Sequence, residues 1–271
     1  MSGRMDMNHR KVHTFAICAY KESSFLEECI LSLKKQTVRS KIIIVTSTPN
    51  DLIREMAEKY EIPLYVNQNG GITQDWNFAY QMAESDYVTI AHQDDIYSSH
   101  YAESVIARMK KSKDPIICFT DYYEVRNGKK ICSNRNLRIK RMLLLPLRLS
   151  LLQRRIGIRR LVLAFGCPIC CPSVTFSKRK ITKEPFQAGF RSDEDWEAWE
   201  RLSWLKGEYI YIPRMLMGHR IHKESETTNI LKDHARSQED YIMFRKFWPD
   251  LIARKLTQLY ASSEKSNDLD V

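Results

Sequence analysis

Two acidic clusters carry the residue types from which this chain could build a reactive site. The residues HQDD occupy positions 92–95, directly after an apolar β-branched segment, and DED at 193–195 opens an amphipathic segment. Paired carboxylates at a strand end can hold a hard divalent cation such as Mg²⁺ or Mn²⁺ and leave coordination positions open. A carboxylate at a helix N-terminus stays ionised and can accept a proton. Together they suit metal-assisted chemistry with a general base.

Each cluster also has a structural explanation. HQDD could simply precede and cap a helix near Ser98, because Asp and Ser are common N-caps. The acids at 193–195 could be first-turn residues that the helix dipole favours. We favour function for both, since carboxylates at a strand end place charge where α/β sheets bind ligands.

The elements that would position these clusters alternate in type. Short apolar or β-branched runs, typical of buried strands, are separated by amphipathic helical patterns. The runs cover residues 13–19, 41–46, 62–66, 86–91 and 115–120. This alternation predicts an α/β fold with a mostly parallel sheet and right-handed crossovers. Residues 92–95 would then lie at the carboxyl ends of the strands.

The second half of the chain is less regular. Asn127-Gly128 predicts a hairpin turn within 121–132, and a leucine-rich helical stretch over 137–164 should break at Pro146 and Gly157. Further predicted elements are a strand at 172–177, a helix at 193–206, a strand at 208–212 and a mostly helical segment at 233–261. This last helical segment could cover the core or pair two chains.

The net charge of +10 is concentrated in one segment. Residues 125–183 contain sixteen Lys and Arg and no Asp or Glu, whereas elsewhere 33 acidic residues outnumber 27 basic ones. A basic, leucine-rich stretch favours an anionic membrane surface, here the inner leaflet. The alternative is a helical layer on the sheet with a solvated Arg face. Nucleic acid is a poorer partner, because stacking aromatics are not interleaved with the charges.

The cysteines and the hydropathy favour the cytoplasm. Of seven cysteines, three form the cluster CPICC at 167–171, which could suggest zinc or redox chemistry. We interpret them as inert thiols in a reducing compartment, since no second ligand pair follows at a suitable spacing. The polar N-terminus lacks a signal-peptide core, and no run reaches roughly 18 apolar residues. We therefore expect a cytoplasmic protein held peripherally on the inner membrane face.

Four segments in order carry a family resemblance. They are FAICAYKESSFLEECILSLKKQT, NGGITQDWNFAYQMAESDYVTIAHQDD, EDWEAWERL and HRIH. Over about His13 to His222 the chain resembles the family 2 glycosyltransferases, which have the GT-A fold. It departs from their pattern at Tyr20-Lys21, at Thr46-Ser47-Thr48, where an acidic pair is usual, and at His92, where the metal motif is usually acidic.

The resemblance implies an inverting transfer of sugar from a nucleotide-diphosphate donor, most often UDP-linked. The acceptor would be a hydroxyl of a saccharide or lipid-linked saccharide in bacterial cell-surface polysaccharide or glycolipid assembly, and the cofactor Mn²⁺ or Mg²⁺. Residues 1–132 would form the nucleotide-sugar-binding half, 133–232 the acceptor-binding half with the basic segment, and 233–271 a C-terminal helical extension.

The resemblance also assigns roles to residues. Asp195 would be the general base and Glu194 a positioning residue, while Asp94, Asp95 and His222 would bind the metal. The acceptor would meet Trp196 and Arg220, although Trp196 could equally be core, as we expect for Trp199. The donor-binding set is Ala19, Tyr20, Glu22, Thr46, Asp75, Asn77, Gln93, Asp94 and Asp95. For Asp75 and Asn77, a solvated helix face is an equal alternative.

Two other classes of protein remain as alternatives. A nucleotidyltransferase would need a Gly-rich basic loop after the first strand, and AYKESS at 19–24 is not one. A catalytically silent, sugar-binding or scaffolding relative is kept open by His92 and by Thr46-Ser47-Thr48.

Overall fold

The computed structural model describes residues 12–222 and 235–268. Its strands are β1 (His13–Cys18), β2 (Lys41–Thr46), β3 (Leu64–Val66), β4 (Tyr87–His92), β5 (Ile96–Tyr97), β6 (Pro115–Arg126), β7 (Lys129–Ile131), β8 (Val174–Ser177) and β9 (Glu208–Ile221). Its α-helices are α1 (Leu26–Lys34), α2 (Asp51–Lys59), α3 (Ile72–Met82), α4 (Tyr101–Lys111), α5 (Arg135–Leu143), α6 (Ile156–Leu163), α7 (Glu194–Leu202), α8 (Ala235–Arg245) and α9 (Asp250–Asp268). The predicted boundary between residues 232 and 233 and the polar N-terminus over 1–11 lie outside the described residues.

All these strands belong to one sheet. Its order is β3-β2-β1-β4-β8-β6-β9-β5, and β7 pairs with β6. The first four strands in that order form three parallel pairs, as the alternation of strand and helix patterns predicts. Strand β8 runs antiparallel to both β4 and β6, so the complete sheet is mixed. The predicted α/β class is confirmed, and residues from both halves of the chain share the sheet.

The hydrophobic core forms a layer on each face of the sheet. Phe15 and Ile17 belong to one buried cluster, whereas Ala16 between them belongs to the other. This period-two division follows from the strand geometry, in which successive side chains point to opposite faces. Strands buried on both faces explain why β1 and β2 read as continuous apolar runs.

Strands β6 and β9 are much longer than the sequence indicated. They pair in parallel as far as Arg126 and Ile221, with register shifts on both sides of Asp121. The predictions of strands at 115–120 and 208–212 were therefore too short. Pro213 hid the continuation, because a proline interrupts a regular ladder and is tolerated only at such irregularities. As a result β9 carries His219 to the carboxyl end of β4.

Several local predictions can be compared with the structure. The hairpin turn at Asn127-Gly128 is confirmed, and both residues have positive φ, 48° and 73°. Helix α1 begins without a side-chain cap, and its N-cap position holds Phe25. Gly157 lies inside α6 rather than at a break.

The C-terminal segment covers the core, the first of the two roles considered for it. It consists of two helices instead of one, and their aromatic rings pack on the second half of the chain. Trp196 has its ring centroid 5.0 Å from that of Phe244 and 5.9 Å from that of Tyr260. In the described part of the chain, no helix is both long and apolar enough to cross a bilayer.

Candidate active site

Three side chains converge where β4 ends. His92, Asp94 and Asp95 each offer a ligand atom, and these atoms lie within 4.8 Å of one another. Two buried atoms in this group, His92 Nε2 and Asp95 Oδ2, have no hydrogen-bond partner. Unpaired buried polar atoms are rare and costly, so a pair of them beside a third ligand indicates a site that receives a further group.

Strand β9 fixes the other atoms of this cluster. His219 Nδ1 lies 3.1 Å from Asp95 Oδ1, and the Arg220 backbone N–H donates to the same oxygen at 2.9 Å. Arg220 Nε donates to the Asp94 carbonyl at 2.8 Å, and His222 Nε2 lies 3.0 Å from Asp94 Oδ2. The HRIH segment therefore orients the HQDD segment, as ligand-supporting residues do around metal ions.

The protonation states at this cluster suit metal ligation. Burial lowers the pKa of His92, and the nearby carboxylates only partly oppose that effect, which favours a neutral imidazole. Burial works to raise the pKa of Asp94, but the hydrogen bond from His222 and the nearby histidines outweigh it and lower that pKa. The cluster thus presents a neutral imidazole nitrogen and a carboxylate.

A divalent cation fits these residues. An imidazole nitrogen together with carboxylate oxygens is a donor set that suits Mn²⁺, whereas Mg²⁺ prefers oxygen alone. The sequence resemblance named Asp94, Asp95 and His222 as the metal ligands. In the structure, His92 groups with the two aspartates, and His222 contacts Asp94 from outside the three.

Residues of the predicted donor site lie at the same edge of the sheet. The amide of Gln93 is paired with the backbone of Tyr20, accepting from its N–H at 3.1 Å and donating to its carbonyl at 2.8 Å. This pair joins the segment after β1 to the segment after β4, while Ala19 is buried at the base and Glu22 is exposed. Parallel strands bring these ends together.

Three other predicted donor residues, Thr46, Asp75 and Asn77, are buried and hydrogen-bonded within the protein. Thr46 accepts from the backbone of Thr48. Asp75 accepts from the Ser47 hydroxyl at 2.6 Å and from the Asn67 amide at 2.8 Å. Their observed role is to shape the loop after β2, so donor contact by them stays a prediction.

Asn77 has a structural role. Its side chain donates to the Phe186 carbonyl at 2.9 Å and accepts from the Phe186 N–H at 3.1 Å. Both ends of the amide are engaged and the residue is buried, so donor contact by Asn77 stays a prediction.

Helix α7 places Asp195 beside Cys167. Asp195 is half-buried in the first turn, and its Oδ2 lies 3.7 Å from the Cys167 thiol. The preceding backbone is held by Glu239 of α8, which accepts from the N–H groups of Ser192 and Asp193 and from the Ser192 hydroxyl. A carboxylate from another helix thus fixes the turn that leads into α7.

Asp195 and the HQDD cluster share one electrostatic environment. The charges of Asp94, Asp95 and Asp195 all act on the His92 imidazole. The charges of Asp95 and Asp195 both act on the Cys170 thiol. Since such interactions require proximity, Asp195 lies in the neighbourhood of the HQDD cluster.

The two residues predicted to meet the acceptor have other roles. Trp196 is completely buried, and its indole N–H donates to the Leu163 carbonyl at 3.1 Å, so it offers no face to a sugar. Trp199 is also buried, as expected. Arg220 is buried and pairs with Glu28 below the Asp94 loop, which makes it a support of the metal cluster.

Sequence reasoning missed His92 and Cys167 as parts of the site. His92 was taken as a departure from a pattern, although an imidazole at the end of β4 could itself have indicated a ligand. Its ring stacks on Trp76, with centroids 5.2 Å apart. Cys167 was taken as an inert thiol. Burial raises its pKa, so it remains protonated and can donate to Asp195.

The sequence model of glycosyl transferase family 2 matches residues 14–185. The chain belongs to this family. Among curated proteins, it is 26% identical over 111 residues to the glycosyltransferase GlyG of Streptococcus pneumoniae serotype 4, a stretch that covers 38% of this chain and 36% of GlyG. The match thus spans about a third of that relative.

Solved structures share the fold. TarS 1–349 from S. aureus in complex with UDP-GlcNAc has a TM-score of 0.62 at 14% identity, covering 90% of this chain and 70% of that one. The mannosyltransferase PcManGT from Pyrobaculum calidifontis, in complex with GDP-Man and Mn²⁺, also has a TM-score of 0.62 at 14% identity, covering 96% and 76%. The GT-A fold of this family member is thereby confirmed.

Proposed function

We propose that this protein is a glycosyltransferase that moves a sugar from a nucleotide-diphosphate donor to an acceptor hydroxyl. The observation that carries the proposal is the cluster of His92, Asp94 and Asp95, in which two buried atoms have no hydrogen-bond partner. Family membership and the nucleotide sugars held by the two structural neighbours support it.

The proposed roles follow from the charge that sugar transfer develops. A divalent cation at His92, Asp94 and Asp95 would neutralise the departing nucleotide diphosphate. Asp195 would accept the proton of the acceptor hydroxyl as the new bond forms. Direct attack assisted by this base inverts the anomeric centre, so we propose an inverting reaction. The Cys167 thiol, close to Asp195 Oδ2, would orient that carboxylate.

The donor nucleotide, the acceptor and the metal ion are assigned separately. We propose a UDP-linked donor because UDP is the most frequent donor nucleotide in the family, although one neighbour holds GDP-Man. For the acceptor we propose a saccharide or lipid-linked saccharide in cell-surface assembly. We propose the Mn²⁺ ion because one ligand is an imidazole.

The proposal is tested by donor binding and turnover with Mn²⁺. A nucleotide sugar present at about 100 times its Kd should stabilise the native protein by about 2.7 kcal/mol and raise its melting temperature. The wild type should release nucleotide from that donor. Asp94→Asn should lose both effects, whereas the exposed control Asp51→Asn should keep them. Binding without nucleotide release, with or without acceptor, would instead support the catalytically silent alternative.

The basic segment divides into buried and exposed residues. Arg141 and Arg160 are paired with Asp121 and Glu200, and Arg159 is buried against backbone carbonyls. These three fit the alternative of a helical layer on the sheet. The remaining exposed arginines of the segment include Arg138, Arg148 and Arg155.

We propose that the exposed part of this segment attaches the protein to an anionic membrane surface at the inner face. Leu149 and Leu151 are 63% and 71% exposed and lie between Arg148 and Arg155. Exposed leucines flanked by arginines suit the interface of an anionic bilayer, where each basic residue contributes about 1 kcal/mol. Such attachment would bring the site to a lipid-linked acceptor.

Vesicle flotation tests this attachment. The wild type should float with vesicles that contain anionic lipid and stay behind with neutral ones. Leu149→Glu/Leu151→Glu should abolish flotation, whereas Leu251→Glu, at an exposed position of α9, should not. Equal flotation with neutral vesicles, or no flotation at all, would refute the attachment.

A further inference from the structure

Helix α5 is anchored to strand β6 by hydrogen bonds near both of its ends. Asn134 caps it by accepting from the Leu137 N–H at 2.8 Å, and the same side chain donates to Glu124 of β6. Arg141 binds Asp121 at 2.8 Å and the Tyr122 carbonyl at 2.9 Å. These bonds join both ends of α5 to β6, so the side chains between them have defined positions.

Lys140 projects from this helix without a carboxylate partner. Its ammonium donates to the Tyr122 hydroxyl at 3.2 Å and is half-buried. Among the side chains that the structure describes, no carboxylate forms an ion pair with it. The neighbouring Arg141 and the more distant Arg160 are both ion-paired.

The surroundings of Lys140 place it beside the HQDD cluster. The Tyr122 hydroxyl accepts from its ammonium, and the Tyr122 ring centroid lies 6.2 Å from that of His219. His219 in turn contacts Asp95, and the charge of Lys140 also acts on the Cys167 thiol, which contacts Asp195. Lys140 thus lies close to the proposed metal site.

We propose that Lys140 binds a phosphoryl group of a substrate at this site. A half-buried ammonium without an ionic partner has lost part of its hydration, and no opposite charge compensates for that loss. An incoming anion would supply the opposite charge. Lysine is a compact charge that commonly binds phosphate. The phosphoryl group can belong to the donor diphosphate or to a phosphate carried by the acceptor. The assignment rests on the proposed function, because it assumes that the site receives phosphorylated substrates.

Two calorimetric titrations distinguish these sources. The first titrates UDP into the protein with Mn²⁺, and the second titrates inorganic pyrophosphate into the protein already saturated with UDP and Mn²⁺. Lys140→Met should weaken binding at least tenfold in one of them. A loss in the first titration assigns the donor diphosphate, and a loss only in the second assigns a separate phosphoryl site. Lys129→Met, an exposed lysine of the same basic segment, should change neither.

A measurement on the wild type complements the variants in case Lys140→Met fails to fold. Acetylation of Lys140, followed by mass spectrometry, should slow at least fivefold when UDP or pyrophosphate is bound, while acetylation of Lys129 should not change. Unchanged affinities in both titrations with a folded variant, or unprotected Lys140, would overturn the proposal. Neither readout requires sugar transfer, so an inactive protein with a protected Lys140 would refute only the proposed function.

Discussion

At the scale of single residues, the site depends on how Asp95 divides its two oxygens. Oδ1 is fixed by His219 and the Arg220 backbone, while Oδ2 is buried without a partner beside His92. The carboxylate is therefore oriented before any ligand arrives. Preorganised ligands of this kind lose little free energy in reorganisation when a cation binds.

His13 makes the protein sensitive to acid. It is fully buried, bonded to Ser40 and Thr89, and burial lowers its pKa from 6.5 to about 3. Below pH 6.5 the unfolded chain binds a proton that the folded protein does not, so stability falls as the pH is lowered towards 3. The expected slope from this residue is about 1.4 kcal/mol per pH unit.

Denaturant unfolding between pH 6.5 and 4.5 measures this contribution. His13→Gln should reduce the slope of the free energy of unfolding against pH by up to that amount. His100→Gln, at an exposed position, should keep the pH dependence of the wild type. A His13→Gln variant with an unchanged slope would contradict the assignment.

At the scale of elements, helix α7 depends on a residue outside the segment that the family model matches. Glu239 of α8 accepts three backbone N–H groups, from Arg191, Ser192 and Asp193. This carboxylate holds the turn that precedes Asp195. The C-terminal helices are thus part of the proposed catalytic apparatus.

Replacing Glu239 should reduce turnover more than donor binding. We expect Glu239→Ala to lower stability by about 1–2 kcal/mol, as loss of a helix cap does, and kcat by about tenfold because Asp195 is less well oriented. The Kd for UDP should not change. Gln238→Ala, the exposed neighbour, serves as the control. A Glu239→Ala variant with weakened UDP binding and normal kcat would contradict this role.

The sequence predicted the elements wherever local patterns determine them. KIIIVT at 41–46 matches β2 residue for residue, because a β-branched run between turns has few other structures. The sequence did not predict the features that tertiary contacts determine. The extension of β9 beyond Pro213 depends on pairing with β6, and the turn before α7 is held by Glu239, far along the chain.

At the scale of the whole molecule, the C-terminal helices complete the core. Trp196 packs against Phe244 and Tyr260, and the Trp248 indole donates to the Ala164 carbonyl at 2.7 Å. Local sequence could not separate a sugar-stacking Trp196 from a core residue, because the answer depends on whether α8 and α9 cover helix α7. The positions of Asp94 after β4 and of Asp195 in the first turn of α7 follow from the local sequence, while their roles stay predictions.

Truncating Trp196 should therefore cost stability. We expect Trp196→Ala to lower the free energy of unfolding by about 3–5 kcal/mol, as for other large buried aromatic residues. Trp204→Ala, at a position 57% exposed, should cost less than half of that. Chemical denaturation measures both. A small loss for Trp196→Ala with impaired acceptor use would restore the acceptor contact first expected from the sequence.

The most direct test of the proposed catalytic role of Asp195 is single-turnover sugar transfer by Asp195→Asn with saturating donor, acceptor and Mn²⁺. The variant should bind UDP and Mn²⁺ with wild-type affinity but transfer sugar about 10²–10⁴ times more slowly, because it lacks the base. Transfer at the wild-type rate by Asp195→Asn would contradict the assignment of this carboxylate and with it the account of the site.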